Sequence, residues 1–337
     1  QSTSARKQLD GIAVVSAIIG SDDPSASAKQ LRTLVATPAP WDSSPSAKQN
    51  DAAITDALLQ AEIPRLVKQV AEVTPLCHNM TNLVVQNIAA NVALCVGASP
   101  IMSNNGLEAP DLAKLGGALV INMGTVTPDG LSNNLAALRA YNAAGGPVVF
   151  DPVGAGATQQ RRNGVKQLMA GGYFDLIKGN ESEIKTVAGT STNVQQRGVD
   201  SGSGTLGLEE KAALVKEVAA RERNVVLMTG TVDVVSDGKR TFGVKNGHEY
   251  LGSITGSGCT LGTTAASYLA VNKEDKLLAV LAALLHFEIA AERAAARGDV
   301  KGPGTFVPAW LDELYLIKKA GLAGNTDWVR AAKVGLL

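Results

Sequence analysis

The apolar residues from about residue 53 onward fall into two alternating patterns. Short, mostly apolar runs predict buried strands at 118–122, 147–150, 174–178 and 225–229. Between and after them, apolar residues recur every three or four positions, which predicts helices at 54–73, 83–96, 131–144, 159–170, 181–188, 206–221, 261–271, 276–297 and 307–319. Two further strands, 232–236 and 240–244, flank the turn signal Asp237-Gly238. Strands that alternate with such helices predict an α/β fold with an open, mostly parallel sheet covered by helices on both faces.

The first 52 residues follow a different pattern. Residues 9–19 are an apolar run that predicts a short buried strand with its exit loop, and residues 23–35 have helical spacing after Asp23-Pro24. Residues 36–52 are rich in Pro, Ser and other polar residues, which is typical of a linker. Because one strand and one helix bury too little surface for a core, we expect residues 1–35 either to dock on the remainder or to end a domain that begins earlier. The first residue is Gln rather than Met, and we therefore expect the true start to be missing.

Charge and cysteine content exclude several kinds of partner. The 31 basic and 31 acidic residues cancel and form no basic block, so we expect neither nucleic acid nor an acidic membrane surface to bind. No run of about 18 apolar residues predicts a membrane span, and the first residues carry no secretion signal. The three cysteines are too scattered for a disulfide framework, which favours reduced thiols and a cytoplasmic location. The three histidines are widely separated and do not favour a zinc site.

The segment 254–262, ITGSGCTLG, is the most informative motif. Gly256 and Gly258 bracket Ser257, and Cys259 follows near the start of a predicted helix. Glycines let backbone N–H groups turn towards one point, and a helix start adds unpaired N–H groups and a partial positive charge, so the segment is suited to cradle a phosphoryl group. We expect the same environment to lower the pKa of Cys259 and to make it available as a base. The alternative is a tight turn followed by an ordinary buried cysteine, and the motif alone does not separate the two.

Three other predicted strands also end in polar residues beside a turn. Asp151 follows one of them, and a carboxylate at that position suits a hydrated Mg²⁺. Asn180 and Glu183 share one helical face after the next strand, and Thr229 ends the last. Each has an ordinary structural alternative, which is a turn aspartate, a capping box or a plain strand end. Because all four turns follow strands of one open sheet, we interpret them together as a ligand-binding edge.

Residues from about 53 to 334 resemble the hydroxyethylthiazole kinase family of the ribokinase-like class. The resemblance is carried by ordered blocks at 75–82 (PLCHNMTN), 97–102 (GASPIM), 151–156 (DPVGAG), 178–183 (KGNESE), 197–201 (RGVDS), 229–230 (TG), 256–259 (GSGC) and 302–308 (GPGTFVP). So many blocks in one order are very specific.

The resemblance implies that ATP phosphorylates the primary alcohol of 4-methyl-5-(2-hydroxyethyl)thiazole with the help of Mg²⁺. It implies that Cys259 is the catalytic base, at a position where relatives of this fold use an aspartate. It also implies substrate contacts at Met102, Gly256 and Asn82, ATP contacts at Lys178, Thr229, Asn180, Ser257 and Gly258, and a metal shell at Asp151 and Glu183. Members of the family assemble as trimers, so we expect a homo-oligomer, either a trimer or a hexamer.

Two positions depart from the family pattern. Lys178 stands where many members have arginine, which removes the planar fork of a bidentate phosphate contact. Ser257 stands where threonine is usual, and the loss of one methyl group is expected to change little.

Residues 1–35 resemble the carboxyl-terminal part of thiamine-phosphate synthase, a (β/α)₈ barrel. Its last strand and phosphate-binding turn are similar to residues 11–16 (GIAVVS), which implies phosphate contacts at Val15 and Ser16. The order of synthase fragment, linker at 36–52 and kinase at 53–337 is that of fused bifunctional thiamine-biosynthesis proteins of fungi. We expect no synthase activity from this chain alone.

Two other functions stay open on the sequence. The first is a kinase of the same fold that acts on hydroxymethylpyrimidine, a pyridoxal-like ring or a sugar, although the low polarity of Pro100, Ile101 and Met102 favours a small apolar ring. The second is a catalytically inactive oligomerisation scaffold, against which the retention of Cys259 and Asp151 argues.

Overall fold

The computed structural model describes residues 14, 16–36, 56–125, 127–190 and 206–337, and the chain divides into two compact units, 1–53 and 54–337. Helices α1 and α2 of the first unit span Ser16–Ile19 and Pro24–Ala36. The Asp23 carboxylate accepts a hydrogen bond from the N–H of Ala26 at 2.9 Å, which caps α2. Helix α1 occupies 16–19, where the sequence predicted the end of a short strand and its exit loop, because a short apolar run does not distinguish a strand from a helix. Except for Val14, the rest of that prediction lies outside the described residues.

The second unit contains a sheet of nine strands and the helices that cover it. The strands are β1 (Leu76–Met80), β2 (Ser99–Ile101), β3 (Ala118–Asn122), β4 (Val148–Asp151), β5 (Leu176–Asn180), β6 (Val225–Thr229), β7 (Asp233–Ser236), β8 (Thr241–Val244) and β9 (Val334–Leu336). The helices are α3 (Asp56–Val73), α4 (Gln86–Val96), α5 (Ala109–Lys114), α6 (Pro128–Ala144), α7 (Gln159–Gly171), α8 (Glu181–Ala188), α9 (Leu208–Glu222), α10 (Ser257–Val271), α11 (Lys276–Ala295) and α12 (Pro303–Leu322). Short 3₁₀ segments occur at Glu249–Ser253 and Asp327–Ala331.

The strand order is β2-β1-β3-β4-β5-β6-β7-β8-β9. Strands β1 to β6 pair in parallel, whereas β7, β8 and β9 join by antiparallel pairing. The predicted open, mostly parallel α/β sheet is therefore confirmed. The barrel fragment predicted before it stays a prediction.

Alternate residues of the central strands enter two separate cores. Val120, Val149 and Leu227 point to one face, in the core that includes α10, α11 and α12. Their neighbours Ile121 and Phe150 point to the other face, in the core that includes α6 and α9. This alternation is the two-residue period of a strand buried on both sides. None of the described helices is both long and apolar enough to cross a membrane.

Candidate active site

The carboxyl ends of the central strands bring the predicted polar residues to one edge of the sheet. Asn122 at the end of β3 pairs with Asp151 at the end of β4, and Asn180 at the end of β5 pairs with Thr229 at the end of β6. Parallel strands point in one direction, so these ends share an edge, which is where open α/β sheets bind ligands.

Two asparagine side chains connect Cys259 to Asp151. Asn82 Nδ2 donates to Cys259 Sγ at 3.4 Å and to Asn122 Oδ1 at 3.0 Å. Asn122 Nδ2 donates in turn to Asp151 Oδ2 at 2.8 Å. Both amide hydrogens of Asn82 are thus committed, which fixes its orientation towards the sulfur.

Lys178 closes this chain of contacts into a ring. Its ammonium lies 3.3 Å from Asp151 Oδ1 and donates to the carbonyl oxygen of Gly258 at 2.9 Å, one residue before Cys259. We call the closed set the polar ring; its members are Asn82, Asn122, Asp151, Lys178, Gly258 and Cys259.

Burial and charge oppose each other within the polar ring. Asp151 and the Lys178 side chain are almost completely buried. Burial raises the pKa of Asp151, while Lys178 and Asn122 oppose that change. Burial alone would lower the pKa of Lys178, but the charge of Asp151 reverses the effect and holds that pKa above its usual value. Lys178 therefore keeps its positive charge beside Asp151 at neutral pH.

The expectation that the helix start lowers the pKa of Cys259 is wrong. Burial raises the pKa of Cys259 to about 11, and the nearby Asp151 carboxylate adds to the increase. Lys178, Asn122 and Asn82 act in the opposite direction but do not overcome these two causes. The group facing the site at neutral pH is therefore a thiol rather than a thiolate.

The turn before α10 has the backbone geometry of an anion cradle. Gly256 adopts a φ of +84°, and a Cβ atom there would lie 2.2 Å from Cγ1 of Val85. Within the described part of the chain, no acceptor is recorded for the backbone N–H groups of Ser257, Gly258 and Cys259. These are the first N–H groups of α10, so they are available to an anionic ligand.

Glu183 and Asn180 form the capping box that the sequence left as an alternative. The Asn180 side chain accepts from the N–H of Glu183 at 3.0 Å, and Glu183 Oε2 accepts from the N–H of Asn180 at 2.8 Å. Glu183 Oε1 accepts from the N–H of Gly154 at 2.8 Å, which links the loop after β4 to α8. Burial and the charge of Asp151 raise the pKa of Glu183 to about 7.

The other predicted site residues lie around this centre. The hydroxyl of Ser257 donates to the carbonyl oxygen of Leu251 at 2.6 Å, so only its backbone N–H faces a ligand. Met102 follows β2 and is half-buried. Val15 and the block at 197–201 lie outside the described residues, and of Ser16 only the backbone is described. The roles predicted for Met102, Val15 and Ser16 stay predictions.

Sequence reasoning missed Asn122 as a member of the site. It singled out the ends of three other strands and treated 118–122 only as a buried strand. A polar residue at the carboxyl end of an otherwise apolar strand was the signal available.

Comparisons with known proteins identify the family of this chain. A model of the hydroxyethylthiazole kinase family matches residues 67–320. The chain is 43% identical over 270 residues to the hydroxyethylthiazole kinase of Moorella thermoacetica, which covers 80% of this chain and 96% of that protein. It is 40% identical over 334 residues to the probable thiamine biosynthetic bifunctional enzyme of Schizosaccharomyces pombe, which covers 97% of this chain but only 62% of that protein.

A solved structure shows the same architecture. The hydroxyethylthiazole kinase of Pyrococcus horikoshii matches with a TM-score of 0.71 at 37% identity, over 82% of this chain and 99% of that one. The fold and these relatives together define a ribokinase-like α/β kinase. Within that class, the chain belongs to the hydroxyethylthiazole kinase family.

Proposed function

We propose that this chain transfers the terminal phosphoryl group of ATP to the primary alcohol of 4-methyl-5-(2-hydroxyethyl)thiazole, a step of thiamine biosynthesis. The observation that carries the proposal is the start of α10, where three available N–H groups lie beside a thiol held by Asn82. Membership of the hydroxyethylthiazole kinase family supplies the identity of the alcohol.

The N–H groups of Ser257, Gly258 and Cys259 receive the transferring phosphoryl group in this proposal. Phosphoryl transfer requires positioning and charge stabilisation more than covalent chemistry, and backbone N–H groups provide both without reorganising. Lys178 fixes the carbonyl of Gly258 and so holds the turn in one orientation. The alcohol lies beside Cys259 and Met102, and the nucleotide extends towards Thr229.

The thiolate form of Cys259, which arises when the thiol releases its proton to solvent, accepts the proton of the alcohol as the new bond to phosphorus forms and the bond to the ADP leaving group breaks. Because the pKa of Cys259 is about 11, little thiolate is present at neutral pH, and this limits the contribution of Cys259 as a general base. The hydrogen bond from Asn82 favours the thiolate, the form that can accept the proton. Most of the rate acceleration therefore comes from the phosphate cradle, and Cys259 adds to it.

Asp151 and Glu183 have the chemistry to hold Mg²⁺ together with the phosphates of ATP. Magnesium prefers oxygen ligands and commonly uses one or two carboxylates plus waters and phosphates. Asp151 Oδ1 is a buried oxygen whose recorded contact among the described residues is the Lys178 ammonium, 3.3 Å away. Both oxygens of Glu183 already accept backbone N–H groups, so we assign it a contact through water. The ion would neutralise phosphate charge.

The test is ATP consumption by the full chain with and without the thiazole alcohol. We expect turnover that requires the alcohol and Mg²⁺, and a product that carries phosphate on the hydroxyethyl group. Hydroxymethylpyrimidine, pyridoxal and ribose serve as competing acceptors. Faster turnover of one of these would replace the proposed substrate, and absence of turnover with all of them would favour the inactive scaffold.

We also propose that residues 1–35 are a thiamine-phosphate synthase-like fragment, joined by a linker at 36–52 to the kinase at 53–337. The alignment with the bifunctional enzyme of S. pombe supports this assignment, because it extends over 97% of the chain rather than over the kinase alone. The trimer or hexamer and the cytoplasmic location stay predictions, the first of which sedimentation of the full chain would test.

A further inference from the structure

Two buried carboxyl groups meet beside the turn that connects β6 to β7. Asp233, the first residue of β7, and Glu288, in the middle of α11, have relative exposures of 5% and 6%. Their side chains are in hydrogen-bond contact. Two carboxylates have no hydrogen to share, so this contact requires one proton between them.

The surroundings determine which of the two carboxyl groups carries the proton. Asp233 Oδ1 accepts the N–H of Gly230 at 2.7 Å and lies in the field of Lys178 on β5, and both favour a carboxylate. Glu288 has the neighbouring Glu292 on its own helix, and its Oε2 has no hydrogen-bond donor among the described residues. The proton therefore belongs on Glu288, which donates it to Asp233.

Glu292, the other charged neighbour of this pair, already has hydrogen-bond donors of its own. Glu292 Oε1 accepts from the ammonium of Lys333 at 2.9 Å, from the N–H of Gly247 at 3.1 Å and from Asn246 Nδ2 at 3.1 Å. Lys333 thus compensates Glu292 and does not reach Glu288. The burial of both members raises the pKa of Asp233 and of Glu288, in agreement with a retained proton.

The contacts of Asp233 give the pair a role at the nucleotide side of the site. Thr229 and Gly230 end β6 at the ligand-binding edge, and Asp233 fixes this turn through the N–H of Gly230. Glu288 in turn fixes Asp233 to α11. We propose that Asp233 and Glu288 are a positioning pair that holds the Thr229–Gly230 turn, and with it the nucleotide, through one shared proton. The inference rests on the proposed function only in that ATP binds at Thr229.

Loss of the shared proton turns the contact into a repulsion between two buried negative charges. The folded form binds this proton more tightly than the unfolded chain, so stability falls as the pH rises towards the raised pKa of the pair. The turn loosens first, because it depends on Asp233. We expect no effect on the part of the site that binds the alcohol, because β1 and β6 are about 19 Å apart, which is four strand spacings of about 4.8 Å.

The experiment is the equilibrium affinity of the full chain for ATP with Mg²⁺, measured by calorimetry between about pH 5 and pH 10 in the wild type and in Glu288→Gln. Glu183, with a pKa of about 7, and Cys259, with a pKa of about 11, titrate in both proteins, so the ratio of the two dissociation constants reports the pair. We expect the wild-type dissociation constant to rise by at least about fivefold, within the limit of tenfold per pH unit for one proton.

Glu288→Gln is the decisive variant, because its amide donates to Asp233 without a titratable proton. We expect its dissociation constant for ATP to lack the increase that the wild type shows at high pH, so that the ratio of the wild-type to the variant constant rises with pH. Glu313→Gln is the matched control. Glu313 lies on α12, is buried to a similar degree as Glu288, and pairs with Arg293 at 2.9 Å. It should follow the wild-type pH profile, and the KM of Glu288→Gln for the thiazole alcohol should not depend on pH.

A wild-type affinity that stays flat, or a Glu288→Gln affinity that falls as the wild type does, would overturn the positioning pair. These outcomes are separate from failure of the proposed function. A wild type that binds ATP with the expected pH dependence but does not phosphorylate the thiazole alcohol would remove the proposed function and leave this inference in place.

Discussion

Replacing Cys259 by alanine tests how much of the rate the thiol supplies. With a pKa of about 11, about 3 × 10⁻⁴ of the thiol is ionised at about pH 7.5. A positioned general base typically contributes about 10²–10⁴-fold, and a loose transition state needs little proton transfer. We therefore expect kcat of Cys259→Ala to fall by about 10–100-fold, which is about 1.4–2.7 kcal/mol of transition-state stabilisation.

The same substitution should leave the binding of ATP almost unchanged. The phosphate cradle consists of backbone N–H groups, and alanine preserves the helical backbone at this position. Asn82 loses the sulfur as an acceptor but keeps its hydrogen bond to Asn122 at 3.0 Å. We expect the KM for ATP to stay within about twofold, so the loss is confined to kcat.

The assay is steady-state phosphorylation of the thiazole alcohol as a function of pH. Wild-type kcat should increase with pH as the thiolate fraction grows towards the pKa of about 11, and Cys259→Ala should not follow this increase. Cys95→Ala is the matched control, because Cys95 is a half-buried cysteine on α4 and is not a member of the polar ring. Wild-type turnover in Cys259→Ala, or a parallel pH profile, would refute the role of the thiol.

Two further substitutions test the supports of the phosphate cradle. Gly256→Ala places a Cβ atom 2.2 Å from Val85 Cγ1 at a residue with a φ of +84°. We expect the free energy of unfolding to fall by about 1–3 kcal/mol in a denaturant titration. We also expect a higher KM for ATP in steady-state kinetics. An unchanged KM would contradict a strict glycine requirement. Asp151→Asn leaves the buried Lys178 without its counter-charge, which we expect to lower the free energy of unfolding by about 3–5 kcal/mol. It should also raise the Mg²⁺ concentration needed for half-maximal activity. An unchanged metal titration would argue against a metal role for Asp151.

The central part of the sheet could be predicted from the sequence because its strands are buried on both faces. The runs that become β3, β4, β5 and β6 are almost wholly apolar, and the structure shifts their ends by two residues at most. Three strands were missed. β1 contains His78 and Asn79, whose polar side chains interrupt the apolar signal, although both are buried. β2 and β9 have three residues each, which is too short for a periodic pattern.

The site was predictable in its location but not in its electrostatics. Strand ends and glycines mark the edge of the sheet, so Asp151 and Gly256 could be chosen from the sequence. The helix-start argument predicted a lowered pKa for Cys259 because it counted only local backbone charge. The burial of the thiol and its distance from Asp151 depend on how β4 and α10 pack, which a single sequence does not record.

Lys178 shows how one residue connects the recognition of phosphate to the rigidity of the site. Its ammonium contacts a carboxylate and a backbone carbonyl, and a Cβ atom on Gly258 would lie 3.5 Å from Nζ. An arginine would need to fit a planar fork into this narrow space, whereas a compact ammonium satisfies both oxygens as a point charge. Lysine at this position therefore connects Asp151 at the end of β4 to the carbonyl of Gly258 in the phosphate cradle. Because the ammonium touches the cradle itself, its charge still acts on a phosphate bound there.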